Sequence, residues 1–111
     1  MEDHAIVFAD TTGTIRYWSP GAEEFFGYTA AETLGQQLDL IVPVEFRERH
    51  WAGFRMAMRT GMSRLNGAAH PGLLVQCKDG RVRLFPGRLV LLQDPQGRAV
   101  GAIALYVRAA E

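Results

Sequence analysis

The stretch from Pro43 to Gly61 constrains the fold of this chain more than any other. Read with a 3.6-residue period, Phe46, His50, Phe54 and Met58 fall in one i, i+4 row with Ala57 beside them. Arg47, Glu48, Arg55 and Arg59 take the opposite side. The pattern predicts one long amphipathic helix over 43–61, with His50 pointing where a core should be. A histidine there has two readings. It is a core residue whose ring N–H finds a carbonyl, or it is an axial ligand to something bound under the helix.

The segments before the helix read as a hairpin and two short helices. Ala5–Ala9 is an apolar, β-prone run closed by the Asp10–Gly13 turn, and Thr14–Trp18 alternates as the returning arm. Ser19-Pro20 is a helix start with Glu23 and Glu24 near the positive end of the dipole, and that helix stops at Gly27. Thr29 and Glu32 have capping-box spacing for a second helix over Ala30–Leu34, ending at Gly35. Gln36–Val42 bridges to the long helix.

After Gly61, residues 62–69 read as a loop and the rest as strands. Gly72–Cys77 and Arg81–Leu92 flank the Lys78-Asp79-Gly80 turn, and Asp94–Gly97 turns into a last strand, Ala99–Val107. Two strands, several helices, then three strands argue for an α+β domain, an antiparallel sheet with helices over one face.

At 111 residues the chain is one domain, 1–111. Its 12 basic and 12 acidic residues balance, which gives no electrostatic footprint for nucleic acid. No apolar run approaches membrane-spanning length, so no membrane is expected. The single cysteine, Cys77, forms no internal disulfide and fits a reducing compartment, so the expectation is cytoplasmic. His4, His50 and His70 are too dispersed for a metal motif. No phosphate loop or nucleophile elbow is present, and no enzyme activity is expected.

The string AIVFADTTGTIRYWSPGAEEFFGYTAAETLGQQL resembles the opening of the PAS sensor family, with its D-x-x-G turn, W-N-P-x-A-E-x-x-F-G-Y and following E-x-x-G. Asp10, Gly13, Trp18, Pro20, Ala22, Glu23, Phe26, Gly27, Tyr28, Glu32 and Gly35 fill those places, with Ser19 where the family usually has asparagine. Asp79-Gly80, Phe85-Pro86 and the spacing of Asp94, Gly97 and Gly101 extend the match, while the ending YVRAAE only partly matches the family's exit. The resemblance implies a five-stranded antiparallel sheet whose helices enclose a ligand pocket. It also implies the sensory part of a larger signalling protein, with its output domain outside this chain and a homodimer as its assembly.

Within the family, the heme-binding oxygen sensors of rhizobial kinases carry their proximal histidine on this long helix, after an arginine, as Arg49-His50 stand here. The resemblance therefore implies heme b on His50, with a diatomic gas or the redox state as the signal. Phe46, Phe54 and Met58 would form a dry wall, and Arg55, Arg59 and Arg64 would meet the propionates at the rim or else are simply the solvated face. Counting outward from the Asp79-Gly80 turn sets Leu74 near Phe85, and Ala69 or His70 near Leu89 or Val90. By likeness to the rhizobial sensors, Gly87, Leu89 and Leu91 would line the gas side. His70 would then be a sixth ligand, a hydrogen-bond donor to gas or a propionate partner, against the reading of a loop histidine before Pro71. Cys77 reads best as a structural thiol, with Cys77 and a methionine as weaker candidates for the sixth ligand. The alternative is an interaction or dimerisation module, empty or holding a small organic ligand. A flavin domain is the weakest reading, since LGQQLDLIVP lacks the family's N-C-R-F-L-Q string.

Overall fold

In the computed structural model, which describes residues 2–63 and 66–108, two strands, β1 (His4–Asp10) and β2 (Ile15–Trp18), form the opening hairpin. Two short helices follow, α1 (Pro20–Phe26) and α2 (Ala30–Thr33). The cap chemistry is as the residues dictate. The Ser19 hydroxyl accepts from the Ala22 N–H at 3.1 Å and from the Ile6 N–H at 2.8 Å, so one side chain both caps α1 and ties it to β1. Thr29 and Glu32 complete a reciprocal capping box. Gly21 lies so close to β1 that a Cβ would sit 1.7 Å from the His4 carbonyl, and only glycine fits.

The segment expected as one helix over 43–61 is two pieces. Val44–Phe46 is a 3₁₀ turn, and the α-helix proper, α3, covers Arg47–Thr60. Pro43 starts the tighter turn, with the Phe46 N–H donating to its carbonyl at 2.9 Å. The Arg47 guanidinium then donates back to the carbonyls of Val42 at 3.0 Å and Asp39 at 3.1 Å, pinning the start of α3. A second 3₁₀ turn, Leu38–Leu40, lies in the segment read as a bridge. Gly61, at φ 72°, ends α3.

The last three strands are β3 (Ala69–Gln76), β4 (Val82–Gln93) and β5 (Ala99–Val107). The five strands pair antiparallel in the order β2-β1-β5-β4-β3, with the helices over one face. β3 begins earlier than expected, because Ala69 and His70 pair with Arg88 and Gly87 instead of lying in a loop. Proline is tolerated because β3 is an edge strand and an irregularity between His70 and Leu73 absorbs it.

The register of β3 also differs from the count made on sequence. The turn spends three residues, with the Cys77 N–H donating to the Arg81 carbonyl at 2.9 Å. Leu73 therefore pairs with Phe85 and Leu74 with Leu84, one residue from the count. The irregularity between His70 and Leu73 adds a second, so that His70 pairs with Gly87 and not Leu89. A shift of one residue exchanges faces. Leu73 takes the inward place that had been given to Leu74, and Leu74 is 40% exposed.

The core is dense at one end and hollow at the other. Phe26 of α1 sits 5.6 Å from the Trp18 ring, 5.1 Å from Phe85 and 5.0 Å from Tyr106, all near edge-on. At the other end, the inward residues of the central strands are small. Ala104 lies between Val7 and Leu89, and Ala102 between Ala9 and Leu91. No residue of α3 is buried, so the helix stands off this row of alanines instead of packing onto it.

Candidate functional site

The space between α3 and the alanine row is a cavity of about 490 Å³, within the usual size of a small-molecule site of roughly 300–1,000 Å³. Phe46, His50, Phe54 and Met58 form its helix wall, and Leu89 and Leu91 face it from β4. Leu74 and His70 border it from β3. The residues singled out on sequence therefore meet around one void.

His50 is the unusual member of the wall. Its ring is edge-on to Trp51 at 4.9 Å and tilted against Phe54 at 5.9 Å. Its Nδ1 is buried with no hydrogen-bond partner among the described residues. Burial pushes the imidazole pKa down, partly opposed by the charge of Asp39, so the ring is neutral at pH 7 and keeps a lone pair. A buried polar atom left unpaired costs about 1–3 kcal/mol. The ordinary core histidine, with its ring paired to a carbonyl, does not describe this Nδ1.

The ring's surroundings are fixed from two sides. The Trp51 indole N–H donates to the Asp39 carboxylate, which joins α3 to the 3₁₀ turn before it. The Trp51 ring lies over Gly13, where a Cβ would come within 2.2 Å of it, so the opening hairpin supports the same residue.

The cations are arranged differently from the sequence expectation. Arg55 and Arg59 are exposed and do not border the cavity, and Arg64 lies outside the described residues. Arg49 does border it, its guanidinium 5.8 Å from the centre of the Phe46 ring. Among the described residues it is the one permanent charge in the wall, and no carboxylate faces it there. The wall position of Arg49 was not foreseen, although its place one residue before His50 had been noted.

His70 has one ring nitrogen committed, since Nδ1 accepts from the Gly72 N–H at 3.1 Å. With Nδ1 accepting, the ring proton sits on Nε2, which is the nitrogen left to donate a hydrogen bond. Cys77 belongs to the core cluster and not to the cavity wall. Its thiol donates to the Val75 carbonyl at 3.8 Å, and burial pushes its pKa up, as a structural thiol requires. Met56 and Met62 are exposed and away from the wall, which leaves Met58 as the methionine of the site.

Sequence reasoning missed Tyr106, which borders the cavity from β5, and the pair Asp39–Trp51. The alternation A-I-A-L-Y in β5 held the signal for Tyr106 and the alanine row, once the inward face is known. Among the described residues no three His, Cys, Asp or Glu side chains converge as a metal site, and the imidazoles of His50 and His70 are what the largely apolar wall offers a metal. Among them also, no helix is long and apolar enough to cross a membrane.

Comparison with known proteins agrees with this architecture. The chain is 27% identical over 74 residues to the oxygen sensor protein DosP of Escherichia coli (strain K12), an alignment that takes in 67% of this chain and 9% of that protein. This chain thus spans less than a tenth of that relative's length. Among solved structures, a PAS domain from Colwellia psychrerythraea superimposes with a TM-score of 0.77 at 21% identity, covering 96% of this chain and 86% of the other. The PAS domain of the Cronobacter turicensis quorum-sensing receptor RpfR, in complex with C12:0, does so with a TM-score of 0.71 at 18% identity, covering 99% and 97%. These likenesses concern the fold. The model of the PAS fold matches residues 2–105, and the chain belongs to that family, whose members are signalling and sensor domains.

Proposed function

We propose that this PAS domain is a sensor that holds heme b against His50 and answers to a diatomic gas or to redox state. The observation that carries the reading is His50, a neutral imidazole with an unpaired buried nitrogen in the wall of an apolar cavity. Heme, when bound, supplies an iron centre that takes small gases and changes oxidation state. The chain's residues do the rest. His50 offers its lone pair, while Phe46, Phe54 and Met58 exclude water from one side, and Leu89 and Leu91 limit the space on the other. Arg49 supplies a positive charge for the carboxylates at the ligand's edge. The similarity to DosP, named as an oxygen sensor, supports the same reading.

The test is a hemin titration followed in the Soret region. Wild type is expected to give a saturable band, His50→Ala to lose or greatly weaken it, and added imidazole to restore part of it. Equal binding by His50→Ala would overturn the assignment. A second reading, a small organic ligand, is favoured by the apolar wall, and RpfR with C12:0 shows a neighbour of the same fold occupied in that way. Mass spectrometry of what co-purifies separates the two. In either reading, a homodimer through the uncovered outer face of the sheet is the expected association, because Leu84 is exposed there.

A further inference from the structure

The chain has twelve glycines, and all but one have a reason within the protein's own structure. Eight take a positive φ. At Gly21, Gly72 and Gly87 a Cβ would come within 1.7, 2.8 and 2.1 Å of a neighbouring atom. Gly53 has neither reason. It sits inside α3 without a positive φ, and a Cβ there would meet nothing within 4 Å. Glycine is the poorest helix former after proline, because it surrenders the most backbone freedom on folding. Alanine would fit at this position and would hold the helix better. A mid-helix glycine that the chain's own atoms do not require points to a close approach to the backbone from outside the chain.

The helix period says from which side. Gly53 lies three residues after His50 and four from both Arg49 and Ala57, and all four border the cavity. Arg49, Gly53 and Ala57 thus form the row beside Phe46, His50 and Phe54. The large row supplies the side chains of the wall, while Gly53 leaves the α3 backbone bare next to the imidazole. On the sheet side, Ala102 and Ala104 keep the wall almost as bare.

We propose that Gly53 is a ligand-contact position that fits the cavity to a flat, rigid ligand, which lies against the α3 backbone one turn from His50. The inference rests on the heme reading and adds to it a residue that sets which ligands fit. A side chain at position 53 would stand in the space beside the ligating ring. A rigid macrocycle held at His50 cannot move aside for it, whereas a flexible chain can bend round one methyl group.

Gly53→Ala and Gly53→Leu test this, since both new residues are good helix formers. Without hemin, Gly53→Ala is expected to melt about 4 °C above wild type. In a hemin titration, the Kd is expected to rise about tenfold or more in Gly53→Ala and further in Gly53→Leu. Equal affinity in wild type and Gly53→Ala overturns the proposal. So does a Gly53→Leu that binds no worse than Gly53→Ala, because a stiffer helix and not a filled space would then account for the loss. A fall in the melting temperature of Gly53→Ala also overturns it, since the chain itself would then require the glycine. No Soret band in wild type would overturn the heme reading and this inference together, whereas a saturable band of equal affinity in all three proteins overturns this inference alone.

Discussion

Ala104→Leu tests whether the space under α3 is a true void. Ala104 lies inward on β5 between Val7 and Leu89, in the wall of the cavity of about 490 Å³. Leucine adds three carbons. At about 0.8 kcal/mol per buried carbon the gain is about 2.4 kcal/mol, reduced to about 1.5 kcal/mol by the rotamer freedom the side chain loses. For a domain of this size that amounts to a rise in Tm of about 6 °C in the ligand-free protein. The same substitution in a close-packed core costs about 1–3 kcal/mol instead, so the sign of the change decides. Thermal and urea unfolding of the two proteins without added ligand measure it. A fall in stability of about 1 kcal/mol or more would refute the reasoning. The same variant should weaken hemin binding at least about tenfold, because the filled volume is the volume the ligand needs.

Substituting His50 by leucine removes an unpaired buried nitrogen and is expected to leave the ligand-free protein as stable as wild type or about 1 kcal/mol more stable, read by urea unfolding. Wild type should also lose stability in acid. The folded imidazole has its pKa pushed below the usual 6.5, so the unfolded state takes up a proton that the folded state resists. The stability is whole above about pH 6.5 and falls as pH drops from there toward the lowered folded value. His50→Leu should flatten that part of the profile, and an unchanged slope would contradict it. Gly13→Ala puts a Cβ against Trp51 at a φ of 79°. It should cost roughly 2 kcal/mol or more and shift the tryptophan emission, since the ring must leave Asp39 or the turn must open.

The fold was legible in the sequence wherever one local rule decided it. Ser19, Thr29 with Glu32, Gly27 and Gly61 are caps or stops as read, and the three-part order of strands, helices and strands became the sheet. The start of α3 was not legible, because Pro43 permits either a 3₁₀ turn or an α turn and the Arg47 contacts that settle it come from the chain's own fold. The β3 register failed by one residue at Leu74 and, beyond the irregularity at Pro71, by two at His70. A hairpin turn of three residues and one of two differ by a face, and Leu73-Leu74 are the same residue type, so the sequence offers no contrast between them. The helix wall of the site was visible as a stripe, His50 included. The cavity itself was not visible, because it is made by what is missing from Ala102 and Ala104. Which face of β5 turns inward depends on pairing with β1 and β4. Tyr106 and Arg49 were overlooked for the same reason, their part in the wall being a matter of tertiary placement.

The central claim, heme on His50, is tested most directly by one absorption spectrum of the purified domain after addition of hemin, recorded oxidised, reduced and under carbon monoxide. The account predicts a Soret band that saturates at one heme per chain and shifts on reduction and again with carbon monoxide. A spectrum that is only the sum of free hemin and protein, or a band identical in His50→Ala, would contradict it.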